Sequence, residues 1–423
     1  MSDKKIFTVS IIGCGSRGCD AYGSLINTQK DKFKIETMCD VNPVKLEKYG
    51  ALFGVPAEKR FTDENEFFKE KRSDLLIIST LDKQHVRQCL KALEIGYDIL
   101  LEKPITDDEK ECYELLAAQK KYGGKVLVCH VLRYAPAFVK IKELLDGGAV
   151  GELVLIDSIE QVTYWHQAHS YVRGNWRRAE DTTPMILAKC CHDLDLLQYY
   201  AGSRCSSVSS VGDLKYFNAA HKPEGAADRC SACKLKDSCP YSAYNVYIKR
   251  WKDAGRPENA WPYNVLTPVL PLEESNLVQA IENGPYGRCV FACDNDVVDN
   301  QITVMNFENG VKANLRMTAF TADGGRIMKF YGTLGELVLD ETAGRIEIKP
   351  FGKKAEVINL KELDDGGFGH GGGDYGLVKE LYEVLSGNAN PETTLAASIE
   401  SHLMGIAAER SRANGGETVK IKH

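Results

Sequence analysis

Short, nearly unbroken apolar runs alternate with amphipathic stretches over the first third of the chain. The runs are Ile6–Ile12, Ile35–Cys39, Leu75–Thr80, Ile99–Leu101 and Val126–Cys129. Continuous Val, Ile and Leu with little polar alternation mark parallel strands buried on both faces. The intervening segments fit helices. Thr106 with Glu109 makes a capping-box pattern ahead of Cys112, Leu115 and Leu116, which share one helical face. This rhythm predicts a parallel, doubly wound sheet over residues 1–132.

Beyond Arg133 the pattern changes. Strand-like stretches fall near Leu153–Tyr164, Ser206–Phe217, Gln301–Phe307, Val311–Phe320, Ile327–Tyr331, Glu336–Leu339 and Arg345–Lys349. Glu308-Asn309-Gly310 separates two of them and predicts a hairpin with a type I′ turn, since Asn-Gly accepts positive φ. Residues 133–423 are expected to form an α+β domain with a large, mainly antiparallel open sheet, one face covered by helices. Asp374–Leu385 and Thr394–Ala413 read as closing helices within 374–413. There is no internal repeat, and the glycine-rich Gly366–Gly373 is too short for a linker. The open sheet face suggests a homo-oligomer, dimer or tetramer.

At 423 residues the chain exceeds one ordinary core, and 43% hydrophobic with 26% charged residues is globular composition. A net charge of −6 gives no electrostatic reason to seek nucleic acid or anionic membrane. No apolar run reaches the roughly 18 residues that span a bilayer. The start, MSDKKIFTVSIIGCG, has no signal-peptide layout, so a cytoplasmic location is expected. Fourteen cysteines in that setting read as reduced thiols, interior ones such as Cys39 and Cys129 included.

Gly13-Cys-Gly15-Ser16-Arg17-Gly18 directly follows the first strand and opens a helix. Gly13 permits the tight turn, Gly15 lets backbone approach a pyrophosphate, and Gly18 allows close helix–strand contact. The helix N-terminus faces the anion. Asp40 closes the second strand 22 residues beyond Gly18, where a carboxylate accepts the ribose 2′-hydroxyls and repels a 2′-phosphate. The cofactor is therefore expected to be NAD, with NADP less favoured; Arg17 is a possible phosphate ligand.

Ser79-Thr80-Leu81-Asp82 with His85 follows the third run, Glu102-Lys103-Pro104 the fourth, and His130-Val131-Leu132-Arg133-Tyr134 the fifth. With the glycine motif they resemble the Gfo/Idh/MocA (glucose–fructose oxidoreductase / inositol dehydrogenase) family. The resemblance covers the whole chain in organisation and is densest over about the first 135 residues. It implies a Rossmann NAD-binding domain whose cofactor lies against Ser16, Arg17, Thr80, Leu81, His85, Glu102 and Lys103. It also implies that Lys103 touches the nicotinamide region and the substrate hydroxyl. A cation there stabilises a developing alkoxide.

The family places a histidine base in the segment matched by Lys189-Cys-Cys-His192-Asp-Leu-Asp195, with an aspartate four residues earlier. His192 matches the base, and imidazole chemistry suits it to take a hydroxyl proton. Ala188 stands at the aspartate's position, with Lys189 beside it. Lys189 is thus a further catalytic candidate: either it joins the substrate contacts or the proton route differs.

Substrate-side candidates are His130, Arg133 and the segment Tyr164-Trp-His166-Gln-Ala-His169-Ser-Tyr171-Val-Arg173-Gly-Asn175-Trp176-Arg177, rich in flat faces and donors suited to sugars. The same composition suits a subunit contact. The resemblance adds His370, in Gly369-His370-Gly-Gly-Gly-Asp374, where Asp374 is a candidate helix cap. Cys230-x2-Cys233-x5-Cys239 has spacing suited to structural zinc, with His221, Cys205 or Cys289 as possible fourth ligand, or to metal-free thiols.

The leading expectation is hydride transfer between NAD and a hydroxyl of a sugar, glycoside or cyclitol. Two alternatives stay open: an NAD-retaining glycosidase or lyase acting by transient oxidation and elimination, and a non-catalytic sensor.

Overall fold

The computed structural model describes residues 5–258, 260–363 and 369–423. Six parallel strands build the first sheet: β1 (Phe7–Ile12), β2 (Phe33–Cys39), β3 (Arg60–Phe61), β4 (Leu75–Ile78), β5 (Asp98–Leu101) and β6 (Val126–Val128). Their order, β3-β2-β1-β4-β5-β6, is that of the doubly wound Rossmann sheet. Leu75–Ile78 are all fully buried, as the continuous apolar run requires. The two-residue β3 carries no sequence pattern of its own.

The second sheet has nine strands: β7 (Leu153–Thr163), β8 (Cys205–Asp213), β9 (Asn300–Phe307), β10 (Lys312–Thr321), β11 (Gly325–Gly332), β12 (Gly335–Asp340), β13 (Arg345–Pro350), β14 (Glu356–Asn359) and β15 (Val419–Lys420). The order is β14-β13-β12-β11-β7-β10-β9-β8-β15. Every pairing is antiparallel except β7 with β10. Helices Cys191–Ala201 and Leu395–Ala413 pack on it, whereas Val211, Ile302 and Val304 on neighbouring strands remain about half exposed.

Two local expectations are corrected. The β9–β10 hairpin forms, but only Gly310 has positive φ (94°), not Asn309, so the turn is not type I′. Phe307 N–H bonds Val311 O across a three-residue loop, a geometry that needs one left-handed residue. Helix Glu109–Tyr122 is capped by Asp108, whose carboxylate accepts from Lys110 N–H. Thr106 instead bonds Glu111 and receives Asp108 N–H, because the helix begins later than a Thr106 cap would set it.

The last helices return to the first sheet. Val128 N–H donates to Thr393 O (3.0 Å), and Leu127 bridges Thr394. Of the Gly366–Gly373 stretch, 366–368 lie outside the described residues; Gly373 opens helix Gly373–Leu385. Among the described residues no helix is long and apolar enough to cross a membrane. All fourteen cysteines are unpaired.

Candidate active site

The carboxyl ends of β1, β4, β5 and β6 deliver Gly13, Ser79, Glu102 and Cys129 to one edge of the parallel sheet. Ligands bind at this edge in doubly wound folds. Gly13 has φ +89°, and a Cβ there would lie 2.5 Å from the Ser79 backbone. At Gly18 a Cβ would meet Gly13 O at 2.4 Å, so both positions require glycine. Gly15 differs: nothing lies within 4 Å of its absent Cβ. That bare approach, at the start of the helix beginning with Ser16, is what a pyrophosphate needs. Asp40 is held by Cys14 N–H (2.7 Å) and Asn42 N–H (2.8 Å), one on each carboxylate oxygen, leaving lone pairs for sugar hydroxyls. These residues fit a dinucleotide.

Arg17 is committed elsewhere. Its guanidinium bonds Glu102 (2.8 Å) and both oxygens of Asp374 (2.7 and 3.1 Å), with His370 Nδ1 at 3.4 Å. Two carboxylates already match this cation, so it is not a free phosphate ligand. Burial pushes Glu102 and Asp374 up, but Arg17 outweighs it and holds both below the usual carboxylate range; Lys103 adds to the effect on Glu102 and the His370 hydrogen bond to that on Asp374. Tyr22 OH also donates to Glu102 (2.7 Å). Asp374 is therefore a charge partner, and the helix cap at Gly372 uses no side chain.

Lys103 is set by its surroundings on both sides. Glu102 accepts its backbone N–H (2.9 Å). His85, buried beneath the loop, faces Pro104 O (2.8 Å) and Thr80 O (3.1 Å) with its two ring nitrogens. It braces the loop rather than lining a groove. Thr80 hydroxyl bonds Gln88, and Leu81 is exposed. His402, from the last helix, accepts Ile105 N–H at Nε2 (2.8 Å), and its Nδ1–H donates to Ser398 O (2.6 Å). No spacing in the sequence announces this brace.

His192 lies beside two other histidines, one of which contacts a third. Its ring centroid is 6.0 Å from that of His130 and 5.9 Å from that of His370; His402 is 5.8 Å from His130. Burial, then the nearby ammonium of Lys103, hold the His192 imidazole well below its ordinary value. It is a neutral base facing a cation. Its Nδ1 is buried without a hydrogen-bond partner among the described residues, in keeping with an alanine at position 188 where an acid would stand.

Lys189 is turned toward a different acid. Its ammonium pairs with Glu160 on β7 (3.0 Å), and Glu160 also pairs with Arg326 on β11 (2.9 Å). Arg326 reaches Asp193 (2.8 Å), whose carboxyl burial raises to about 6 against the pull of the guanidinium. Glu160 and Arg326 stand directly opposite each other in the β7–β11 register.

Several substrate-side candidates are engaged by burial and internal bonding. Arg133 forms a bidentate pair with Asp195 (2.8 and 2.7 Å). Arg173 bonds Arg288 O and Tyr241 O (both 2.7 Å) and anchors the segment between β8 and β9. His169 bonds Tyr247 OH (3.0 Å) and stacks on Tyr286. His130 is wholly enclosed, 3.8 Å from Asp195. Trp176 donates to Asp82 (3.1 Å), which Thr183 also holds. Tyr164 is half-buried against Tyr241. By contrast, His166 is half-buried, its imidazole held well below its ordinary value first by burial and then by the charge of Lys189, and His370 keeps 39% of its side chain exposed.

The zinc expectation is also corrected. Among the described residues no three His, Cys, Asp or Glu side chains gather to hold a metal ion. Cys230 Sγ instead accepts from Ala243 N–H (3.4 Å) and from Arg173 (3.7 Å). A buried guanidinium against the thiol opposes a dication there.

Burial places His130 at about 4 and His169 and His402 each at about 3. Folded values below the unfolded value of about 6.5 mean that unfolding takes up protons in acid. Their stabilisation is complete above pH 6.5 and is lost as pH falls toward 4 and then 3. Near pH 5 three protons give a slope of about 4 kcal/mol per pH unit. Urea unfolding from pH 8 to 4 should show it, and His402→Asn should lower the slope by about one proton. Stability unchanged between pH 7 and 5 would refute the assignment.

A parallel sheet with a glycine turn shaped for a pyrophosphate, joined to a half-open antiparallel sheet, defines a two-domain dinucleotide-binding protein. Residues 7–130 match the oxidoreductase family's NAD-binding Rossmann fold, and residues 142–421 match its C-terminal alpha/beta domain. The chain belongs to the Gfo/Idh/MocA oxidoreductase family. It is similar to YteT of Bacillus subtilis (strain 168), named as a candidate oxidoreductase, with 23% identity covering 89% of this chain and 91% of that protein. It is also similar to the inositol 2-dehydrogenase/D-chiro-inositol 3-dehydrogenase of Lactiplantibacillus plantarum, 26% identical over 46% of this chain and 53% of that protein. A levoglucosan dehydrogenase solved with NADH and levoglucosan shares the fold, with a TM-score of 0.71, 16% identity and coverage of 99% of this chain and 100% of that one.

Proposed function

We propose that this chain is an NAD-dependent dehydrogenase acting on a CH–OH group of a sugar, glycoside or cyclitol, with Lys103 and His192 as its catalytic pair. What supports the reading is the buried imidazole of His192, held uncharged by burial and then by the nearby cation of Lys103, a residue that follows β5 at the carboxyl edge of the parallel sheet. NAD, when bound, accepts or returns the hydride. Lys103 stabilises negative charge on the reacting oxygen. His192, uncharged at neutral pH, takes the hydroxyl proton. His370 and His166, the partly open histidines, face the substrate. Lys189, oriented by Glu160, contributes a second cation where the acid at position 188 is absent. Asp40 favours NAD over NADP. The half-open face of the nine-stranded sheet suits a second copy of this chain.

Purified protein supplied with a panel of monosaccharides, glycosides and inositols should reduce NAD, with kcat/KM for NAD above that for NADP by roughly ten to a hundredfold. Bound NAD with no NADH formed across the panel would end the dehydrogenase reading. Aglycone release without NADH would replace it with the elimination alternative.

A further inference from the structure

Between β8 and β9 the chain makes a long excursion with its own small core, built on Tyr247, Trp251, Tyr263 and Tyr286. One of its tryptophans is not absorbed into that core. Trp261 retains 39% of its surface exposed. Its ring lies 4.7 Å from that of His166, 5.2 Å from that of His169 and 5.3 Å from that of Trp165. His166 is the residue that links this shelf to the reacting centre: it lies in the short helix Tyr164–His166 that directly continues β7, the strand whose Glu160 holds Lys189 (3.0 Å). Arg250 stacks over Trp165 at 4.2 Å and brings donors to the same rim. The shelf is held across the mouth of the site: Asn264 Nδ2 donates to Asp20 Oδ2 (3.2 Å), on the helix that follows the glycine turn. Asp20 in turn accepts from Tyr49 OH (2.8 Å), so the anchor is tied into the parallel-sheet domain.

We propose that Trp261 forms an outer subsite, and that the substrate is a glycoside whose second unit, sugar or aromatic, stacks on its indole. This rests on the dehydrogenase reading and narrows its substrate class. The indole packs edge-on against His166 at 4.7 Å, so a unit linked to the sugar ring that His166 contacts comes within reach of its exposed face. A broad apolar face with guanidinium donors beside it matches the alternating C–H and hydroxyl surface of a sugar ring, and equally the face of an aryl group.

The test compares glucose, galactose and xylose with their 4-nitrophenyl glycosides, and with cellobiose and lactose, in wild type, Trp261→Phe and Trp261→Ala. NAD affinity and melting temperature serve as controls for folding. In wild type, kcat/KM for the best glycoside should exceed that of its parent sugar by about tenfold or more. Trp261→Ala should collapse that ratio toward one without changing turnover of the parent sugar, and Trp261→Phe should keep most of it. Disaccharide and nitrophenyl arms distinguish a sugar from an aromatic occupant. A wild-type preference for free sugars, or an equal loss on both substrate types in Trp261→Ala, would overturn the subsite. If no compound is turned over while NAD binds, the dehydrogenase reading fails instead. Saturation-transfer NMR then decides the subsite separately: an aryl-proton signal that disappears in Trp261→Ala supports it, and an unchanged signal refutes it.

Discussion

Lys103→Met is expected to lower kcat by about 10²–10⁴-fold while leaving NAD affinity within roughly twofold. The size follows from what the ammonium does. In the proposed reaction it is the charge aimed at the oxygen that becomes anionic, beside His166 and His192, whose imidazoles burial keeps neutral. Methionine retains the apolar stem and the packing of the loop, whose backbone is held separately by Glu102 and His402. Loss of the cation also removes one of the influences that depress His192, so the acid limb of the variant's pH–rate profile should move to higher pH. Steady-state kinetics with NAD titrated by fluorescence checks both parts. Turnover unchanged in a variant that binds NAD would remove Lys103 from the chemistry, and a parallel loss of NAD binding would make it a cofactor ligand only.

The largest effect on stability is expected at Arg326. It is 8% exposed and faces Glu160, Asp193 and Glu341. Arg326→Met leaves these carboxylates facing one another with Lys189 as the remaining nearby cation, and should cost about 3–5 kcal/mol at pH 7.5. The pH dependence has a definite sign. Without the guanidinium, Asp193 and Glu341, already raised by burial, rise further, and Glu160, which burial raises but Arg326 and Lys189 hold below its ordinary value, rises as well. The deficit is therefore smallest in acid, where they are protonated in both states, and grows as pH rises through neutrality. Denaturant unfolding of wild type and variant at pH 5.5 and 7.5 reads the difference. A deficit under about 1 kcal/mol, or one equal at both values, would show that the cluster is not acting as a charge network.

The parallel sheet was legible because its strands are unbroken apolar runs, and the glycine turn because each glycine has a separate steric reason. What escaped the sequence were pairings between distant segments. Arg17 reads locally as a phosphate ligand; only the fold brings Asp374 to it. Glu160 reads as a polar residue in a strand. Its parity with Ile156, Ser158 and Val162 puts it on the inward face, and that was the available signal. Arg133 and Arg173 looked like substrate donors because donors near a site are indistinguishable, in sequence, from donors that hold the site's walls. His402 sits in a helix buried along most of its length, where a lone histidine carries no mark of its role.

The contacts between the last helices and the first sheet bear on how the molecule matures. A nascent chain emerging from the ribosome would complete the parallel sheet and glycine turn early. It would still lack Thr393 against the last parallel strand and His402 beneath Ile105. The glycine turn would thus be complete before the brace beneath the Lys103 loop exists, and deleting the final helix would take that brace away while leaving the glycine turn in place.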